Sequence, residues 1–244
     1  MASLTRRFAL AATALAFLLL VMPALASATI TVTNTNDTGA GSLRAAITTA
    51  NGSPTVATTI NFSVSGTITL GSALPAIANS SPNGSLTIDG SGQAITVYGV
   101  SSYQIFSVNS GATLNLRNLT INDGLATDGG GADNAGILTV TNCTFSDNFA
   151  DLGGGIDNEV GGTLTVTNTT FAGNVTPNGL GGGISNDGGM TVTNSTFSGN
   201  SATGGLGGGG IQRRRRDAEG QRSGRRIRWE LRFFLSDRRR LQHL

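Results

Sequence analysis

The sequence predicts an all-β chain, a right-handed parallel β-helix with three short strands per coil, roughly seven coils, and a short helix capping its amino-terminal end. Three observations carry that prediction. One unit recurs between residues 129 and 211. It begins as Gly129-Gly130-Gly131 and continues with Leu138, Val140, Asn142, Phe145 and Asn148. It returns as Gly153-Gly154-Gly155-Ile156 with Leu164, Val166, Asn168, Phe171 and Asn174, and again as Gly181-Gly182-Gly183-Ile184 with Met190, Val192, Asn194, Phe197 and Asn200. The steps from Leu138 to Leu164 to Met190, and from Phe145 to Phe171 to Phe197, are all 26 residues, which marks a repeat architecture. Within the unit, Leu164-Thr165-Val166-Thr167 and its counterparts alternate apolar with β-branched polar residues, the period of half-buried strands. The glycines exclude helix, and Gly, Asn and Asp supply turns between strand-like pieces around Ile156, Val166 and Phe171.

Coils stacked at ~4.8 Å would pair the backbone of each with the next and place Val on Val and Phe on Phe. The asparagines then read as ladders of amide hydrogen bonds. Asn118, Asn142, Asn168 and Asn194 form one inward set, and Asn148, Asn174 and Asn200 another. The first set is also written Asn-x-Thr, the glycosylation pattern, but an acceptor must be exposed and a ladder amide points inward.

Before the repeats, residues 1–28 carry Arg6 and Arg7, an apolar run from Phe8 to Val21, Pro23, and Ala26-Ser27-Ala28. This is the pattern of a secretory signal cleaved after Ala28, with a run too short for the ~20 residues that span a bilayer. Residues 29–52 follow as a first strand from Thr29 to Thr33, a turn from Asn34 to Gly41, and an amphipathic helix. Leu43, Ala46, Ile47 and Ala50 give its apolar face, Ser42 its N-cap and Asn51-Gly52 its stop. Laid across the open end of the coil, it would cover apolar interior and unpaired strand edges. Residues 53–211 are the coils, looser at first and regular from Leu114 onward, in one elongated domain.

The elements Gly181 to Ile184 and Phe197 to Asn200 resemble the repeats of polymorphic outer-membrane proteins. Gly41-Ser42-Leu43-Arg44-Ala45-Ala46-Ile47 with Ala50-Asn51 is similar to the amino-terminal capping segment of secreted bacterial β-helix proteins, with Ala45 or Ala46 where that segment usually has an acid. The resemblance covers residues 29–211 and implies the pectin-lyase-like superfamily. It also implies export to the medium, the cell surface or the outer membrane. It leaves activity open, because such scaffolds host adhesins, structural proteins and polysaccharide enzymes alike.

Charge divides the chain. Residues 29–211 hold two cations, Arg44 and Arg117, against ten acids, a balance of −8, while residues 212–244 hold twelve arginines against four acids, a balance of +8. An acidic body of this kind repels nucleic acid. The arginine-rich segment, with Trp229, Phe233 and Phe234 interleaved, has the composition of a nucleic-acid or anionic-lipid binder. A reading-frame shift explains it better. Gln212 to Gly220 admit codons that, read one base later, give Asn, four Gly, Thr, Leu, Lys and Val, continuing the repeat. On that reading the segment is a disordered tail.

The chemistry is sparse. A lyase needs a base and cations for a uronate, and the body has no Lys and no His, the lone His243 lying in the tail. Cys143 is the single cysteine, which excludes an intrachain disulfide and reads as a buried, inert thiol. Carboxylates do align, Asp123 over Asp147 and Asp133 over Asp157. Stacked like charges suit solvated turns first, a weak Ca²⁺ site second and a glycosidase pair third. No catalytic residue, and no cofactor beyond weak Ca²⁺, is assigned. The expected function is that of an exported, monomeric, non-enzymatic solenoid contacting carbohydrate or a host or cell-surface ligand. A polysaccharide-active enzyme, hydrolase before lyase, is the alternative.

Overall fold

A computed structural model describes residues 27–78, 84–177, 179–203, 207–208, 210–216 and 228–234. In the amino-terminal region lie β1 (Ser27–Val32), α1 (Leu43–Asn51), β2 (Ala57–Phe62), β3 (Gly66–Thr69), β4 (Leu86–Asp89), β5 (Ile95–Tyr98) and β6 (Phe106–Val108). The regular coils contribute β7 (Thr113–Arg117), β8 (Thr120–Asn122), β9 (Ala132–Asn134), β10 (Ile137–Thr141), β11 (Thr144–Ser146), β12 (Ile156–Asn158), β13 (Thr163–Thr167) and β14 (Thr170–Ala172). Then come β15 (Val175–Thr176), β16 (Ile184–Asn186), β17 (Gly189–Thr193), β18 (Thr196–Ser198), β19 (Ser201–Ala202), β20 (Gly210–Arg216) and β21 (Arg228–Phe234).

These strands wind a right-handed parallel β-helix of about seven coils with three long sheets. Sheet 1 runs β1-β2-β4-β7-β10-β13-β17, sheet 2 runs β3-β5-β8-β11-β14-β18, and sheet 3 runs β6-β9-β12-β16-β20-β21. Registers are the ones the repeat predicts: Leu114, Leu138, Leu164 and Met190 are successive partners, as are Leu116, Val140, Val166 and Val192. On sheet 2, Ile121, Phe145, Phe171 and Phe197 follow one another inward. The rings of Phe145 and Phe171 stack at 5.2 Å and 15°, those of Phe171 and Phe197 at 4.8 Å and 5°. Strand burial alternates as the Thr-x-Thr pattern requires, with Leu164 and Val166 fully buried between half-exposed threonines.

Two kinds of corner turn the chain. Asn118, Asn142, Asn168 and Asn194 adopt φ between 48° and 55°, the left-handed region that Asn tolerates better than other side chains. Their side chains face out. Asn142, Asn168 and Asn194 are exposed, so this set is an external corner and not the inward ladder that sequence reasoning expects. A left-handed residue between two strands turns its Cβ away from the interior, and the only rung between these amides among the described residues runs from Asn142 Nδ2 to Asn118 Oδ1, 3.3 Å.

The second asparagine set is the ladder. Asn148 Nδ2 donates to Asn174 Oδ1 and Asn174 Nδ2 to Asn200 Oδ1, both at 2.8 Å. The backbone N–H of Asn148 reaches the same Asn174 oxygen at 3.1 Å, and the other Asn174 Nδ2 hydrogen reaches the Phe145 carbonyl at 2.9 Å. A further buried ladder joins Asn134 to Asn158 at 2.6 Å and Asn158 to Asn186. The glycine block before it is required by both conformation and space. Gly153 has φ 57°, and a Cβ on Gly155 would stand 2.5 Å from the Gly183 carbonyl of the next coil.

The helix α1 lies where the sequence places it. Ser42 accepts from the Ala45 N–H at 3.2 Å, Gly52 closes the other end, and Leu43, Ala46, Ile47 and Ala50 are buried against β1 and β2. No helix among the described residues is long and apolar enough to cross a membrane. The signal-like run from Phe8 to Val21 lies outside the described residues.

At the other end, parts of the segment expected as a tail lie among the described residues as strands. Strand β20 adds in parallel to β16, pairing Gly210, Ile211 and Gln212 with Ile184, Ser185 and Asn186, and β21 returns antiparallel on β20. The edge of β16 presents unpaired N–H and C=O groups, which an extended segment satisfies whatever its side chains. The remainder of 212–244 lies outside the described residues.

Three substitutions separate core, ladder and corner in urea unfolding. Phe171→Ala is expected to lose about 3–5 kcal/mol, as for a large-to-small change in a closed core. Asn174→Ala strips partners from Asn148 and from the Phe145 carbonyl and should lose about 1–3 kcal/mol for each group left unpaired. Asn168→Ala, at the external corner, should lose only about 1–2 kcal/mol for its left-handed backbone.

Candidate functional site

The outer surface of the coil offers three places where polar side chains gather. The first is an open groove of about 300 Å³ beside the asparagine corner. Strands β5, β8 and β11 pair in register and give it a column of threonines, Thr96, Thr120 and Thr144. The corner adds Asn118 and Asn142, and the turn before β5 adds Gln93. Leu119 and Ile95, both buried, form the floor. Asn118 is held in place, donating to Asp89 Oδ1 at 3.0 Å and to Ser91 Oγ at 2.8 Å. Burial opposes ionisation of Asp89, but hydrogen bonds from Ser91 and Asn118 and the charge of Arg117 outweigh it and hold the carboxyl below its ordinary range. Cys143, the neighbour of Asn142, turns inward, donates to the Thr141 carbonyl at 3.4 Å, and has its thiol pushed up to about 11 by burial. It is the inert thiol the sequence predicts.

The second place is the turn after sheet 2, where Asp123 and Asp147 stand one coil apart, both at φ 56°. Ser101 Oγ donates to Asp123 Oδ1 at 2.6 Å, and Asn122 Nδ2 lies 3.4 Å from Asp147 Oδ2. The Tyr98 hydroxyl also hydrogen bonds to Asp123, and that bond, with the charge behind it, raises the phenol above its ordinary value. The next rung is Gly173, whose absent Cβ would lie 2.5 Å from Asp147 Oδ1, so the column has no room for a third side chain as placed.

The third is the outer side of sheet 3, where Asp133 and Asp157 are direct register partners on β9 and β12, followed by Ser185 on β16. Asp157 is only 7% exposed. Burial first, then the charges of Glu159, Asp157 and Asp128, pushes Asp133 up to about 7. Burial also lifts Asp157, to about 6, against the opposing hydrogen bond from Ser185 and with the charges of Asp128, Asp187 and Glu159 adding to it. Asp133 Oδ1 is buried without a hydrogen-bond partner, consistent with a carboxyl that holds its proton near neutrality. Sequence reasoning finds both aspartate pairs but not this difference between them, which arises from neighbours that no repeat period displays.

Among the described residues no group of three or more His, Cys, Asp or Glu side chains converges as a metal centre. The two body cations are apart and differently used. Arg44 is tied to Asp37 at 2.6 Å and to the carbonyls of Ser72 and Ala73 at 2.7 and 2.6 Å, fastening the cap helix to the first coils. Arg117 is exposed at the end of β7.

No family model and no curated protein matches the sequence. Among solved structures, the crystal structure of Jun a 1, the major allergen from cedar pollen, is similar at 21% identity and a TM-score of 0.46, over 72% of this chain and 54% of that one. The chain thus spans about half the length of that allergen.

The buried pair on sheet 3 sets a pH dependence. Both carboxyls hold protons in the folded chain that they release near pH ~4 when unfolded, so the native state binds more protons between those values. Their contribution is therefore full in acid and is lost as pH rises through about 6 and about 7. The melting temperature should fall between pH 5 and pH 8, and Asp133→Asn with Asp157→Asn should flatten that fall. A steeper fall in the double variant would contradict it.

Proposed function

We propose that the protein is an exported β-solenoid, secreted or held at the cell surface, that works as a monomer by contact rather than by catalysis. It holds a neutral carbohydrate, free or displayed on another cell, in the groove of Thr96, Thr120, Thr144, Asn118, Asn142 and Gln93. The observation that carries this reading is the chemistry of that lining. It combines hydroxyls and primary amides over an apolar floor, and amides and hydroxyls pair with sugar hydroxyls as both donors and acceptors. The scarcity of cations points the same way. A uronate polymer needs several positive charges, and of the body's two arginines one is spent on Asp37.

A second reading has a specific observation behind it. Asp133, held up to about 7, is a carboxylic acid able to donate a proton near neutrality, and Asp157 stands on the adjacent strand. A glycoside hydrolase needs such a pair, with separations from about 5 to 9.5 Å according to mechanism. Binding and turnover are separable on one panel of neutral and acidic polysaccharides. The contact reading expects retention on a neutral polymer, no new reducing ends or unsaturated products, and at least tenfold weaker retention for Thr120→Arg. New reducing ends that vanish in Asp133→Asn would instead establish the hydrolase, and tight binding of polyuronate would overturn the neutral-ligand reading.

The aligned aspartates motivate one proposal about cations. Weak Ca²⁺ uptake at Asp123 and Asp147, or at Asp133 and Asp157, would relieve repulsion between stacked carboxylates. Millimolar Ca²⁺ should then raise the melting temperature by mass action. Replacing one pair by Asn should abolish the rise and identify the site, and an unchanged melting temperature in the native chain would overturn cation binding at both pairs.

A further inference from the structure

Sheet 1 carries an outer surface that neither the groove nor the acids use. On β10, β13 and β17 the outward residues include Thr139, Thr165 and Thr191 in one column and Thr141, Thr167 and Thr193 in the next, each column in exact register from coil to coil. The first column extends beyond the block through Asn115 to Thr87 and Thr59. Alternate residues of a strand stand ~6.7 Å apart and neighbouring parallel strands ~4.8 Å apart, so the six hydroxyls and six methyls form a rectangular net.

Two features distinguish this net from an ordinary polar strand surface. The three strands contain no charged and no aromatic residue. Among the described residues, none of the six hydroxyls is hydrogen-bonded to another protein group. The inward Thr169 and Ser195, by contrast, close on the carbonyls of Thr167 and Thr193 at 3.0 and 2.9 Å.

An uncharged lattice of hydroxyls and methyls, held in register from strand to strand, fixes its first water layer without the radial ordering that charges impose. Its two repeats lie close to the oxygen repeats of an ice prism face. Water held on the hydroxyls and seated between the methyls is then already placed as a layer of the crystal. We propose that this face of sheet 1 binds ice. A crystalline polysaccharide is a poorer match, because the face has neither an aromatic platform nor a recess.

The test uses the full chain, fluorescently labelled, on a growing ice hemisphere, together with inhibition of ice recrystallisation. The native protein should concentrate in the ice and slow recrystallisation. Thr165→Lys, at the centre of the net, should reduce both to background while leaving circular dichroism and melting temperature unchanged. Thr165→Ser, which keeps the hydroxyl and removes a methyl, should retain part of the effect. Thr170→Lys, on the outer side of sheet 2, should behave as native. Exclusion of the native chain from ice, or equal losses in Thr165→Lys and Thr170→Lys, would overturn the proposal.

Discussion

In a coil that repeats, each side chain packs against its own counterpart, and that constraint decides which residues the sequence can use where. A primary amide is complementary to itself, since its NH₂ donates and its C=O accepts along the same axis. Asn148, Asn174 and Asn200 exploit this, each amide also satisfying a backbone group, so the fully buried Asn148 and Asn174 stand inside the wall without orphaned partners. Phenylalanine is complementary to itself in another way, by stacking, and valine and leucine by shape. Interior and corners of the molecule are therefore built from few residue types.

Carboxylates fail the same test, and the structure treats them accordingly. Each aspartate column is two rungs high and then stops, at Gly173 in one case and Ser185 in the other. The exposed pair is spread among hydroxyl and amide donors. The buried pair lowers its repulsion by holding protons, against the opposing hydrogen bond from the Ser185 hydroxyl. Two arginines cannot neutralise ten acids, and one of them is committed to the cap. The surface chemistry left for a ligand is consequently that of uncharged hydroxyls and amides, arranged by the coil into columns.

Fold and register were legible in the sequence because alternation and a constant step of 26 residues are the direct image of strands stacked one above another. Asn142 and Asn148 show where legibility ended. Both recur with the same step, yet one is exposed with φ 54° and the other fully buried, and nothing in residue type distinguishes them. The ladder of Asn134, Asn158 and Asn186 escaped because its steps are 24 and 28 residues, the loops between coils differing in length while the rungs do not. Strand β20 escaped because an open sheet edge recruits extended backbone with little regard to composition. For the candidate sites, alignment revealed the aspartate pairs, whereas the groove's column of Thr96, Thr120 and Thr144 emerged only from the register of β5, β8 and β11. The burial and neighbouring charge that separate Asp133 from Asp123 are properties of three-dimensional packing, which a period does not display.

The cap helix gives the molecule a direction in energy as well as in space. At its end the interior is sealed, with Leu43 and Ile47 wholly buried, whereas in the coil of β17 and β18 Met190, Val192 and Phe197 keep part of their surface in solvent. In a nearly one-dimensional structure each coil is stabilised only by its neighbours, so an opening that begins at one end advances rung by rung. Amide exchange will therefore be graded along the axis, slow beside the helix and faster toward β18. The solenoid behaves as a zipper fastened at one end.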